Sequence, residues 1–204
     1  MPLQRIDPSF PVDDYAVPEK ARTGCVQTAQ PGVLAFRDVV RAAYGGGVGG
    51  IVRPCTDGAE SEHFEGRAWD WPMSATDPAE ASRVEALLAE LLAPDARGQA
   101  HAMFRRAGLR YLIWNRRLWS VRNKNWVAYD SPPHPSPHTD HVHFSFGWPG
   151  ALAQTSLYAA LGVKAERTPV AVELAEATGP VAVAVVALAV MSGVGLGMLV
   201  AWRL

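Results

Sequence analysis

The chain has 204 residues, enough for one ordinary domain and a short appendage. Its 19 Lys and Arg balance 20 Asp and Glu. The formal net charge of −1 argues against a generic nucleic-acid binder, so no nucleic-acid partner is expected. The hydrophobic fraction of 49% is ordinary for a soluble fold but unevenly spread.

Residues 1–24 contain Pro2, Pro8, Pro11 and Pro18 without periodicity, which predicts an extended arm. Met1–Lys20 has no apolar run and carries Asp7, Asp13 and Asp14, so no signal peptide is expected there. Pro31 opens a helix whose Val33, Leu34, Phe36, Val39, Val40 and Ala43 recur at helical steps. Gly45-Gly46-Gly47 ends it. The glycines of 45–50 read as a turn, because no Lys-Ser/Thr follows them as a phosphate loop requires. Ile51–Arg53 reads as a short strand.

Asp77 at N-cap, Pro78 at N1 and Glu80 at N3 predict a capping box, followed by the stripe Val84, Leu87, Leu88, Leu91 and Leu92. Pro94 stops this helix. Residues 96–107 read as a further helix, ended by Gly108. Tyr111–Trp114 and Trp126–Tyr129 are strand candidates. His141–Phe146 alternates, with Val142, Phe144 and Phe146 on one face and His141, His143 and Ser145 on the other. The expected fold over 25–150 is α+β, a small antiparallel sheet with flanking helices. Residues 151–180 read as a short helix and a linker. The 22 residues 181–202 carry no charge. As a helix they span about 33 Å against a hydrocarbon core of about 30 Å, so a transmembrane helix in a lipid bilayer is expected.

Two stretches carry chemistry. His63 and Asp70 stand seven residues apart with Gly66 between, a spacing that can turn back to one ion or make a simple hydrogen-bonded pair. On an alternating strand His141 and His143 share one side. Zinc takes His nitrogen and carboxylate oxygen, and a catalytic site needs a further base for its water. His63, Asp70 and one strand histidine supply the ligands, with Asp140 or a glutamate as base. Cys25 and Cys55 suit either one disulfide or two buried thiols on spacing alone. The run Arg105, Arg106, Arg110, Arg116, Arg117, Arg122 and Lys124 reads as a solvated face, with attraction to anionic wall polymers or headgroups as the alternative. Trp114, Trp119 and Trp126 are expected in the core or lining a cleft. His101 is expected on a helix surface, and His134 and His138 exposed in a Pro-rich loop. Glu60, Glu62 and Glu65 are expected to be solvated.

The pattern Ser61-x-His63-x-x-Gly66-x-Ala68-x-Asp70, then Asp140-x-x-His143, resembles the VanY-like D-Ala-D-Ala carboxypeptidases. These are zinc peptidases of peptidoglycan stem peptides. More narrowly it is similar to an actinobacterial extracellular, phage-lysin-like branch. That branch has two cysteines placed like Cys25 and Cys55, and runs like Tyr111–Asn115 and His138–Ser145. The resemblance covers Cys25–Trp148 and implies a hedgehog/D-Ala-D-Ala peptidase-like fold. It also implies a Cys25–Cys55 disulfide and Zn2+ held by His63, Asp70 and His143. Asp140 matches the general base, a position often held by Glu. Arg53 stands near the arginine that polarises the scissile carbonyl, and Ser61 supports the site by hydrogen bonding. His141 is left as a supporting partner, a substrate contact or an alternative ligand.

The expected function is therefore a membrane-tethered zinc metallopeptidase of the cell wall, a carboxypeptidase or endopeptidase. Its catalytic domain would be exported, or would act outside the cytoplasm after release, as an endolysin does. A catalytically inactive wall-binding module and a holin-like membrane protein with a scaffold domain are the alternatives.

Overall fold

Alternation along one strand sets the architecture. Val142, Phe144 and Phe146 are completely buried, and the edge of the Phe36 ring meets Phe144, Phe146 and Trp69 at centroid distances of 5.4, 5.3 and 6.2 Å. The computed structural model describes residues 10–21, 25–55, 60–129 and 136–166. The chain runs α1 (Pro31–Tyr44), β1 (Ala68–Pro72), α2 (Pro78–Leu92), α3 (Ala102–Arg106), β2 (Leu109–Trp114), β3 (Arg117–Ser120), β4 (Trp126–Ala128), β5 (His141–Phe146), α4 (Trp148–Ala151) and α5 (Ser156–Ala160). The fold is α+β. Its sheet is five-stranded and antiparallel, in the order β1-β5-β2-β3-β4.

One face of the sheet is apolar. Trp69 and Trp71 of β1, Leu112 and Trp114 of β2, and the three apolar residues of β5 join α1 and the Val84–Leu91 stripe of α2 in one core. Alternation then sends Asp70, Tyr111, Ile113, His141 and His143 to the opposite face. The core strands thus leave a polar face for chemistry.

Both long helices form where their spacing predicts. The Asp77 carboxylate accepts from the backbone N–H groups of Ala79 and Glu80, and Pro78 sits at N1. The reciprocal half of the expected box is absent, because Glu80 accepts from Ser74 N at 2.7 Å instead. Other elements differ from expectation. Ile51–Arg53 is not a strand, and only Gly50 bridges to Asp70. The helix expected over 96–107 is confined to α3. The Asp95 carboxylate accepts from the N–H groups of Arg97 and Gln99, and Gly98 and His101 take left-handed φ of 78° and 52°. Local side-chain bonds out-compete the helix there. Where one short helix is expected from Ala151 onward, α4 already ends at Ala151, Ala153 takes a left-handed φ of 59°, and only α5 follows.

The basic run is a solvated face only in part, with Arg116, Arg122 and Lys124 exposed. Arg106 and Arg110 are buried. Arg105 and Arg106 tie residues 10–13 down, donating to the carbonyls of Asp13 (2.7 Å) and Phe10 (2.9 Å). Trp114 and Trp119 are in the core, and the Arg117 guanidinium lies 4.8 Å over Trp126. His101 meets the edge of Trp119 and bonds the Tyr15 hydroxyl. Among the described residues no helix is long and apolar enough to cross a membrane. The expected transmembrane helix 181–202, the linker ahead of it from 167, and His134 lie outside the described residues.

Gly66 has φ 67°, and a Cβ there would lie 1.8 Å from the Thr28 carbonyl oxygen. Strain and overlap with backbone combine at this position. Gly66→Ala is expected to destabilise the chain by about 2–4 kcal/mol, checked by urea unfolding.

Candidate metal centre

The Ser61–Gly66 turn and β1 present His63 and Asp70, and β5 presents His143 directly opposite Asp70 in the antiparallel register. Asp70 N donates to the Gly50 carbonyl at 2.9 Å. Gly49 must be glycine for this approach, since a Cβ there would lie 1.8 Å from the Asp70 carbonyl oxygen. The glycine run therefore braces the strand that carries Asp70.

The Asp70 carboxylate bridges the two imidazoles. Its Oδ1 is 2.8 Å from His143 Nδ1, and its Oδ2 is 3.2 Å from His63 Nε2. His63 Nδ1 donates to the Ile51 carbonyl at 2.8 Å, which fixes the ring and turns Nε2 towards Asp70. Burial works against the ionised Asp70, but the hydrogen bonds from His143 and His63 outweigh it and hold the carboxyl well below the usual carboxylate range. One atom each from His63, Asp70 and His143 lie within 4.8 Å of one another, so this group could hold a metal ion. The donor set fits. With Nδ1 committed to Ile51, His63 turns Nε2 to the Asp70 carboxylate, and imidazole nitrogen with carboxylate oxygen is a donor pair that zinc takes.

The cluster opens into a cavity of about 360 Å³. Arg53 lines it and donates through Nη2 to Ser61 Oγ at 2.7 Å. Ser61 Oγ also accepts from His63 N at 3.2 Å, so the expected support by Ser61 takes this form. Cys25 and Cys55 form a disulfide.

Asp140 does not join the cluster. Its side chain is 85% exposed, and it is not among the residues lining the cavity. Its Oδ1 instead accepts from His141 Nδ1 at 2.8 Å, which holds the carboxyl below its ordinary range. His141 does line the cavity, with Nε2 3.7 Å from Asp70 Oδ1.

A family model described as VldE, C-terminal domain, matches residues 25–143. The chain belongs to the VldE C-terminal domain family. Among curated proteins and solved structures nothing matches it. The VldE C-terminal domain match begins at one cysteine of the disulfide and ends at His143, so it takes in the whole cluster.

Three side chains of this VldE C-terminal domain depart from the sequence reading. His138 is buried rather than exposed, lines the cavity, and packs 4.6 Å from the His141 ring and 5.9 Å from that of His143. Burial pulls it down to about 4, so its ring is neutral near pH 7. Glu65 is buried against Arg67 at 2.6 Å, not solvated. Glu62, also buried, accepts from Arg110 Nη1 and from the Tyr111 hydroxyl, both at 2.9 Å. Burial raises Glu62, yet the charges of Arg67 and Arg110 prevail and keep it ionised.

Tyr111 in turn stacks on His143, with centroids 5.4 Å apart and planes 20° apart. A Glu62–Tyr111 bracket therefore joins the turn that carries His63 to the ring plane of His143. The only sequence signal for it was the strand alternation that puts Tyr111 on the histidine face. Tyr111→Phe is expected to weaken metal affinity about 10-fold and Glu62→Gln about 10- to 100-fold. Cobalt(II) titration followed by visible absorption checks both, because a changed ligand field alters the band shape as well as the midpoint.

Proposed function

We propose that this chain is a zinc-dependent peptidase of the VanY-like, hedgehog/D-Ala-D-Ala peptidase-like kind. Its substrates are peptidoglycan stem peptides, cut as a carboxypeptidase or an endopeptidase. The observation that carries the reading is the His63–Asp70–His143 cluster at the floor of a cavity that Arg53 and His141 also line. Two imidazoles and one carboxylate are the ligand set of a catalytic zinc that keeps a position open. When bound, the ion acidifies water and polarises a peptide carbonyl.

The chain's own residues supply the rest. The Arg53 guanidinium, steadied by Ser61, donates to the carbonyl oxygen as negative charge develops there. The Asp140–His141 pair moves the proton. Asp140 holds Nδ1 of the imidazole, and Nε2 stands on the cluster side, where it accepts from water and later donates to the leaving amine. Asp140 thus acts through His141 and not as the base itself. In this reading the uncharged run 181–202 tethers the enzyme to a lipid bilayer, and the domain works outside the cytoplasm.

The test is incubation of the zinc-loaded full chain with muropeptides, with products read by mass spectrometry. Release of D-Ala or a defined stem fragment, lost in His141→Ala and His63→Ala, supports the proposal. Muropeptide binding without turnover would give the site to an inactive wall-binding module instead.

A further inference from the structure

Three of the imidazoles lining the metal cavity are wired alike. His63 Nδ1 donates to the Ile51 carbonyl at 2.8 Å, His141 Nδ1 to the Asp140 carboxylate at 2.8 Å, and His138 Nδ1 to the Ser136 carbonyl at 2.9 Å. In its neutral form a ring so committed presents the lone pair of Nε2. An oxygen acceptor on the far nitrogen is also the arrangement that orients a metal-binding histidine. His63 has it within the cluster of Asp70 and His143. His138 and His141 have it as well, yet neither belongs to that cluster.

The two rings are spaced for one ion. Their centroids are 4.6 Å apart, against 5.1 Å for His63 and His143, the pair that the cluster brings to one centre. A carboxylate oxygen stands beside them, Asp70 Oδ1, 3.7 Å from His141 Nε2. Ligand atoms bonded to one zinc at about 2.0–2.2 Å stand about 3.3–3.6 Å apart at the tetrahedral angle. His138 is buried rather than left on the surface, and the hydrolytic steps proposed above make no use of it.

We propose that His138 and His141 form a second site for a divalent ion of the kind that seeks imidazole nitrogen, such as zinc, with the Asp70 carboxylate at its edge. The site is weaker than the first, because its carboxylate is already shared by His63 and His143. Filling it inhibits. His141 Nε2 is the lone pair that accepts from water, and an ion bonded there leaves none to accept. The chain thus works with one ion and stops with two. The site itself stands on the geometry, while its inhibitory effect rests on the peptidase reading.

The test titrates zinc into the EDTA-treated full chain, with a chromogenic chelator in competition. The parent is expected to bind two equivalents, the second about 100-fold more weakly for want of a carboxylate of its own. His138→Gln and His141→Gln are each expected to keep the first equivalent, which also reports an intact fold, and to lose the second. Muropeptide hydrolysis by the parent is expected to rise through the first equivalent and then fall about 100-fold as the second binds, the usual worth of a general base. His138→Gln is expected to reach the same plateau and hold it in excess zinc. A single equivalent in the parent overturns the proposal, as does a second equivalent that survives in either variant. Loss of both equivalents from a variant with unchanged far-UV circular dichroism overturns it too. A second ion that binds through His138 without lowering turnover overturns the inhibition. If no form cleaves a muropeptide while the second equivalent still depends on His138 and His141, the metal site stands and the peptidase reading alone falls.

Discussion

Asp70→Ala is expected to reduce zinc affinity by more than 100-fold and to bring peptide hydrolysis down to the level of the EDTA-treated protein. Among the described residues Asp70 is the one acid that touches both His63 and His143, through different oxygens. Without it two imidazoles remain, with no anion to balance a divalent charge. Loss of a partner that merely orients a ligand already costs 10- to 100-fold, so loss of a ligand costs more. Asp70→Asn keeps the shape and removes the charge, and is expected to fall between the parent and the alanine variant. A chromogenic chelator in competition measures the affinities, and far-UV circular dichroism reports whether the sheet survives. Zinc is expected to restore activity to the EDTA-treated parent and not to Asp70→Ala. Zinc affinity within tenfold of the parent in that variant would remove Asp70 from the ligand set.

The cluster was legible because its spacing survives projection onto one dimension. His63 and Asp70 are joined by one turn and the start of a strand, and His143 sits on an alternating run whose other face is plainly apolar. The two long helices were legible for the same local reason, a Pro at N1 followed by an apolar stripe. What escaped depends on distant partners. β1 is five residues long, Ala-Trp-Asp-Trp-Pro, and only pairing with β5 makes it a strand. β3 follows a two-residue turn, Asn115-Arg116, with φ 45° and 63°. That geometry usually announces itself as Asn-Gly. Glu62 reads as a surface acid until Arg110, 48 residues away, buries and neutralises it. Asp140 has the right separation from His143, but spacing does not say which way a side chain turns at the entrance to a strand. His138 reads as loop and packs against two rings of β5.

The second large effect concerns the disulfide. Cys25→Ser, Cys55→Ser or reduction with dithiothreitol is expected to destabilise the chain by about 3.5 kcal/mol, the chain-entropy value for closing a 30-residue loop. A functional loss should accompany it. The bridge fastens the 52–55 segment, which carries Arg53, to the stretch beginning at Cys25. Val26 N in that stretch donates to the Phe64 carbonyl at 2.9 Å, and the Gln27 side chain donates to the Arg53 carbonyl at 2.6 Å. Arg53 thus reaches the cavity from a short tether pinned at both ends, by Cys55 behind it and by Ser61 at its guanidinium. Freeing one pin widens the range over which the guanidinium moves. A positioned donor to a developing oxyanion is worth about 100- to 1,000-fold. At a temperature where the reduced chain stays folded, kcat is therefore expected to fall at least tenfold while zinc affinity changes little. His63, Asp70 and His143 are held by Ile51, Gly50 and the sheet rather than by the bridge. Urea midpoints with and without reductant measure the first effect, and kcat against chelator competition separates the second. A parallel loss of zinc and of turnover would instead mean that the bridge holds the whole turn, and Arg53 no more than its neighbours.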